Sequence, residues 1–260
     1  MTAVVEARGL AVRRGQRLVL QGVDLTLQSG QALAVVGPNA AGKSTLLRAL
    51  AGLLPTESGT IVIAGRPLGE WRRDALARKV ALVTPEDEGT SLLSVRERVA
   101  VGRYPHTGPF RPSGPSDDEA VERALTLTGI VPLRDRKVGT LSAGERQLAA
   151  VARGLAQDPQ VLLLDEPASH LDIGHQLALF RVLDEVRAQG VAVLAVVHDL
   201  QRAADWADEL ALLAGGRVAR AGPPGSVLSS PEAQSAFAVG IHEHAVPARP
   251  TPLYSFRERS

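Results

Sequence analysis

Ala32-Leu33-Ala34-Val35-Val36-Gly37-Pro38-Asn39-Ala40-Ala41-Gly42-Lys43-Ser44 runs from five apolar residues through a turn of small residues into a Lys-Ser pair. The apolar run reads as a buried strand. The residues from about Lys43 to Leu53 read as a helix that stops near Gly52 and Pro55. Gly37 to Ser44 satisfies G-x-x-x-x-G-K-[ST] in full, between strand and helix, where the pattern has physical meaning. Small residues let successive backbone N–H groups curl around phosphate oxygens, and the helix N-terminus adds unpaired donors and the positive end of a dipole. That spacing sends Lys43 to the β- and γ-phosphates of a nucleotide and the Ser44 hydroxyl to Mg2+. Lysine is rare here, 3 against 26 arginines, so a lysine inside this turn stands out.

Upstream, Val4–Leu10 and Val19–Leu27 alternate as strands do, punctuated by glycines, and predict an antiparallel β subdomain at the N-terminus. Thr60–Ala64 and Val80–Val83 read as further strands. From Pro85 to Pro115 turn residues crowd together, while Ser94–Val101 and Asp117–Thr128 look helical. Glu86 to about Thr140 therefore reads as a mostly helical insertion, within a helical subdomain of about 86–150. Helix and strand then alternate: Ser142–Gln157 and Ile173–Gln189 helical, Val161–Leu164 and Val191–Val197 buried strands. Leu210–Leu213 and Val218–Ala219 are expected as edge strands around Gly215-Gly216. Short all-apolar strands alternating with helices imply an α/β fold with a mainly parallel sheet covered on both faces. The chain divides into one domain over 1–245 and a loose Pro- and Arg-rich tail over 246–260.

Composition narrows the classes. The 260 residues are 45% apolar and 22% charged, ordinary globular values. A net charge of +1 offers no global basic field, so nucleic acid is not an expected partner. The absence of Cys excludes a disulfide scaffold, Cys-liganded metal and thiol catalysis. No apolar run approaches the about 20 residues of a spanning helix. Met1–Gly15 lacks the apolar core of a signal peptide, and the expectation is a cytoplasmic chain.

Val161-Leu162-Leu163-Leu164-Asp165-Glu166 is a buried strand ending in two carboxylates. At a strand's C-terminal end Asp165 can hold Mg2+ and Glu166 can polarise an attacking water. Ser142-x-x-Glu145 is a capping box, which by itself means only a well-started helix.

In order and spacing these segments resemble the ATP-binding cassette (ABC) ATPases, over nearly the whole chain. Gly37–Ser44 is similar to their Walker A loop, Leu141–Glu145 to their signature, Val161–Glu166 to Walker B, Ala168–Asp172 to the D-loop, and His198 to the switch histidine. The resemblance implies a P-loop NTPase core that hydrolyses ATP with Mg2+. It also implies a head-to-tail homodimer, in which ATP on Gly37–Thr45 of one subunit is capped by Ser142, Ala143, Gly144 and Glu145 of the other, with Asp172 nearby. Glu166 and His198 are then the catalytic pair, and Ser44, Asp165 and Glu86 face the metal. The chain departs from the family pattern with Ala143 for Gly and Glu145 for Gln in the signature. Glu86 stands for Gln in the Q-loop, and Arg14 where an aromatic ring usually meets adenine.

ABC ATPases also serve DNA repair and translation. The repair relatives carry coiled-coil or Cys-rich insertions and the translation factors two cassettes, and neither fits 260 residues without Cys. The expectation is a transporter's ATPase subunit, peripheral on the cytoplasmic face of the membrane, with separate permease subunits and, indirectly, a substrate-binding protein. Ser94 to His106, through Gly102-Arg103-Tyr104-Pro105, resembles importers of metal chelates: iron-siderophores, haem or cobalamin.

Overall fold

The computed structural model describes residues 2–84, 92–108, 112–169, 171–247 and 251–258. The expected metal-facing Glu86 lies outside the described residues. The strands are β1 (Ala3–Arg14), β2 (Arg17–Gln28), β3 (Ala32–Val36), β4 (Ser58–Ile63), β5 (Arg66–Pro67), β6 (Val80–Val83), β7 (Val161–Leu164), β8 (Ala192–Val196), β9 (Glu209–Ala214), β10 (Arg217–Gly222), β11 (Val239–His244) and β12 (Leu253–Glu258). The helices are α1 (Lys43–Leu50), α2 (Arg73–Ala77), α3 (Val95–Ala100), α4 (Tyr104–Thr107), α5 (Pro115–Leu127), α6 (Ala143–Leu155), α7 (Ile173–Ala188), α8 (Leu200–Trp206), α9 (Pro224–Leu228) and α10 (Pro231–Phe237).

Among the described residues the strands form three sheets. The first, in order β2-β1-β4-β5, is antiparallel throughout. The second runs β10-β9-β3-β8-β7-β6, parallel except where β10 turns back on β9. Strands β3, β7 and β8 are apolar at every position because both faces are buried. Leu33, Val35, Val161, Leu163, Leu194 and Val196 point to one core, shared with α1 and the antiparallel sheet. Their neighbours Ala34, Val36, Leu162, Leu164, Val193 and Ala195 point to the other, against α6, α7 and α8. Burying such a side chain contributes about 1.5–3 kcal/mol, so the alternation fixes the register as well as the stability. Helices α3, α5 and α6 pack on one another and extend that second core through Val95, Val99, Val121 and Leu125.

The structure corrects the sequence expectations in two places. Strand β9 is not an edge: it lies between β3 and β10, and only β10 closes that side. The residues expected as a loose tail are also ordered in part, since β12 pairs with β11 from Leu253↔His244 to Glu258↔Val239. Tyr254 and Ile241 from this hairpin join the core. The Gln201 amide on α8 donates to the Pro252 carbonyl at 3.1 Å and accepts from the Tyr254 N–H at 2.8 Å. His242 and His244 therefore stand on a paired strand, His244 within 2.7 Å of the Ser255 hydroxyl. The three prolines at 247, 250 and 252 masked the period-two alternation of Leu253–Glu258.

Tyr254→Ala should cost about 3–5 kcal/mol, as for other buried aromatic side chains, measured as the shift in urea-unfolding free energy. A tail residue without this packing would change stability by no more than about 0.5 kcal/mol.

Candidate active site

The parallel order β3-β8-β7 brings three segments to one edge: Gly37–Ser44 after β3, His198 after β8, and Asp165-Glu166 after β7. In open α/β sheets this edge, beyond the strands' C-terminal ends, is where ligands bind. Gly37 has φ 150°, and a Cβ there would run into the Leu213 carbonyl. Gly42 has φ 107°, and a Cβ would come within 2.8 Å of the Leu20 side chain. The loop is thus held tight against β2 and β9, and its glycines answer to space as well as to torsion. Helix α1 starts at Lys43 without a side-chain cap, which leaves its first N–H groups facing the loop's concavity.

The Lys43 ammonium donates to the carbonyls of Gly37 at 2.8 Å and Pro38 at 2.9 Å. Burial pulls its pKa below the ordinary lysine value, opposed by the charges of Glu166 and Asp165. The Ser44 hydroxyl donates to Asp165 Oδ1 at 3.0 Å. Burial raises the Asp165 carboxyl above the usual carboxylate value, with the Ser44 hydrogen bond opposing. Two hard oxygens so close beside a phosphate-shaped loop suit Mg2+, which takes one or two protein oxygens and completes its shell with phosphate and water.

Glu166 has φ 51°, in the left-handed region rarely occupied by a side chain of this kind. His198 Nε2 lies 2.6 Å from its Oε1, and the Ser169 hydroxyl 3.4 Å from its Oε2. Glu166 borders two cavities. One, of about 450 Å3, is also lined by Arg14, Arg17, Val19 and residues 39–45. The other, of about 210 Å3, is lined by His198, Ser169, Gln176 and Arg202 among others. Arg17 and Val19 were not singled out from the sequence. Arg17 pairs with Arg14 across the β1–β2 turn, so the hairpin register delivers both guanidiniums together.

Ser142, Ala143, Gly144, Glu145 and Asp172 do not line the cavity of Lys43. They form a second group. Ser142 caps α6, its hydroxyl accepting from the Glu145 N–H at 3.2 Å, while Glu145 Oε2 accepts from the Ser142 N–H at 2.7 Å. That backbone donor is the main reason the Glu145 carboxyl sits below its ordinary pKa. Ser142 and Ala143 are exposed, so this helix start is open to a group from outside the chain.

The family model for ABC transporters matches residues 20–169. The hemin import ATP-binding protein of Streptomyces coelicolor is 44% identical over 224 residues, 86% of this chain and 79% of that protein. The cobalamin import ATP-binding protein of Halobacterium salinarum is 40% identical over 255 residues, 96% of this chain, and this chain spans 63% of that protein's length. Among solved structures, an inward-facing ABC transporter assigned to the metal-chelate type superposes with a TM-score of 0.85, at 25% identity, covering 98% of this chain and 97% of that chain. The fold is that of a P-loop NTPase core with an antiparallel N-terminal sheet and packed helices.

The raised Asp165 carboxyl has a consequence for stability. Above the ordinary Asp value of 3.8, and up to its raised folded value, the folded state keeps a proton that the unfolded chain releases. Stability therefore falls as pH rises through that window, and the loss persists at neutral pH. Ligand-free, metal-free Asp165→Asn should unfold at a higher urea concentration than the wild type at pH 7. The gap should close in acid.

Proposed function

The chain belongs to the ABC transporter family, and from that premise we propose that it is the ATP-binding and ATP-hydrolysing subunit of an importer of metal chelates, of the haem, cobalamin or iron-siderophore class. The observation that carries the reading is the meeting of Lys43, the Ser44–Asp165 pair and the Glu166–His198 pair at the ends of three adjacent strands. The hemin and cobalamin names of the relatives support the cargo class. No described helix is long and apolar enough to cross a membrane. The family reading gives the translocation path to separate permease subunits, with this chain at their cytoplasmic face. A substrate-binding protein would deliver the cargo to them.

The chemistry follows from the side chains. The loop amides and Lys43 hold the β- and γ-phosphates of ATP, and Lys43 exchanges its bonds to the Gly37 and Pro38 carbonyls for phosphate oxygens. Ser44 and Asp165 would hold Mg2+, which supplies positive charge against the triphosphate. Glu166 accepts a hydrogen bond from the water that attacks the γ-phosphorus, while His198 fixes the other carboxylate oxygen. Arg14 offers a planar, weakly hydrated guanidinium to the base. Ser142–Glu145 and Asp172 stand apart from this cavity, which supports the head-to-tail homodimer that the family resemblance implies, in which they serve the nucleotide of a second copy.

Glu166→Gln should retain ATP binding but lose turnover by about 10²- to 10³-fold, since positional and electrostatic contributions of this kind are worth about 3 kcal/mol or more. It should also form an ATP-dependent dimer on size-exclusion chromatography. Near wild-type hydrolysis by the purified variant would remove Glu166 from the mechanism. Displacement of a fluorescent ATP analogue checks the grip on the nucleotide. Lys43→Ala should nearly abolish binding, whereas Arg14→Ala should cost only about 0.5–1 kcal/mol, the worth of one exposed stacking contact. With so shallow a hold on the base, GTP should compete within about tenfold of ATP, or 1.4 kcal/mol.

A further inference from the structure

A hydrogen-bonded network beside Glu166 takes no part in the hydrolysis chemistry described above. Asp172 caps α7, accepting from the His175 N–H at 2.9 Å, and its second oxygen meets His175 Nδ1 at 2.8 Å. An ionised carboxylate only accepts, so Nδ1 carries the proton. The next residue, Gln176, donates through Nε2 to the carbonyls of Leu171 at 3.1 Å and Ala168 at 3.4 Å. The first turn of α7 thereby holds the Asp172 side chain and the backbone carbonyls of Ala168 and Leu171.

The same imidazole also touches a different helix. Gly144 is the second residue of α6, and a Cβ on it would overlap Cβ, Cγ and Cδ2 of His175. Gly144 has no left-handed torsion to satisfy, and glycine is unfavourable inside a helix. Close approach of the His175 ring is therefore what that position accommodates. The charge of His175 also helps to keep the Glu145 carboxyl ionised. One side chain thus spans the start of α6 and the cap of α7.

We propose that His175 is a positioning residue that fixes the Ser142–Glu145 helix start against Asp172 at the start of α7, so that both are presented to the partner's nucleotide as one rigid unit. This rests on the homodimer reading above. The chain's own phosphate loop hangs on β3 and α1, which His175 does not touch. Loss of His175 should therefore spare nucleotide binding to a single subunit and impair the steps that need two.

The test is His175→Ala, made alone and in the Glu166→Gln background. The dissociation constant for a fluorescent ATP analogue should stay within about twofold, with an unchanged thermal midpoint, while kcat for ATP hydrolysis falls about ten- to hundredfold, the effect of a small misplacement. In the Glu166→Gln background the ATP-dependent dimer should weaken or vanish. His175→Asn, which can still donate to Asp172, should recover part of the kcat. Wild-type hydrolysis and dimerisation by His175→Ala would overturn the proposal. So would a parallel loss of thermal stability and analogue binding, which marks a structural role alone. If Glu166→Gln itself forms no dimer with ATP, the homodimer reading fails first and the proposal with it.

Discussion

The inner strands β3, β7 and β8 carry apolar side chains on both faces, none of them more than 2% exposed. Polar chemistry can therefore leave this sheet only where a strand ends. The consequence is a crowd of charge at one edge, with Lys43 and Asp165 drawn under the surface. Each is pushed toward its neutral form by burial and back toward its charged form by a partner. Neither would sit there singly without cost, because an unpaired buried charge is strongly unfavourable. Their partners offset that burial cost only in part, so the fold forces opposite charges to share one small volume at the expense of stability.

The segment Gly102–His106 shows how the same sheet carries its helical layer. Arg103 is 6% exposed and donates to Asp117 Oδ1 at 2.9 Å, to the Ala156 carbonyl at 2.8 Å and to Asp158 Oδ2 at 2.7 Å. It thus joins the start of α5 to the end of α6. Gly102 beside it lets the chain pass the Arg153 carbonyl, where a Cβ would overlap. His106 reaches the Gln157 carbonyl at 2.9 Å, and Arg78 on the sheet side reaches the Pro105 carbonyl at 2.9 Å. A run with the composition of a loop is in fact tied to both layers, on one side by the buried Arg103, whose donors must find partners inside the protein, and on the other by the exposed Arg78.

What could be read from the sequence were the features dictated locally by the backbone. The Gly37–Ser44 spacing is one, because a loop that wraps phosphate needs those residues in that order. The strand ending in Asp165-Glu166 is another, because an all-apolar run fixes where its first polar residues emerge. Contacts between distant elements left no local mark. Arg17 joins the cavity only through the register of a hairpin, Gln201 meets Tyr254 across 53 positions, and His175 meets Gly144 from another helix. The C-terminal strand was legible in its alternation, yet the flanking prolines outweighed it. Prolines restrict their neighbours but do not forbid a strand that begins at the next residue, as Leu253 does after Pro252.

The backbone of Glu166 joins the two halves of the site. A non-glycine residue at φ 51° costs about 1–3 kcal/mol and persists only where its surroundings over-determine it. Here the preceding residue is anchored, since the Asp165 N–H donates to the Val83 carbonyl on β6 at 2.8 Å. The following turn is anchored too, since the Ser169 N–H donates to the Glu166 carbonyl at 3.2 Å. Between these fixed points the left-handed step reverses the chain within one residue. The carboxylate is left beside His198 on β8's side while the chain leaves toward Asp172 and α7. A glycine would relieve the torsion but carry no carboxylate, and a longer turn would relieve it but let the carboxylate wander. The strain is the consequence of requiring one residue both to face His198 and to begin the turn toward α7.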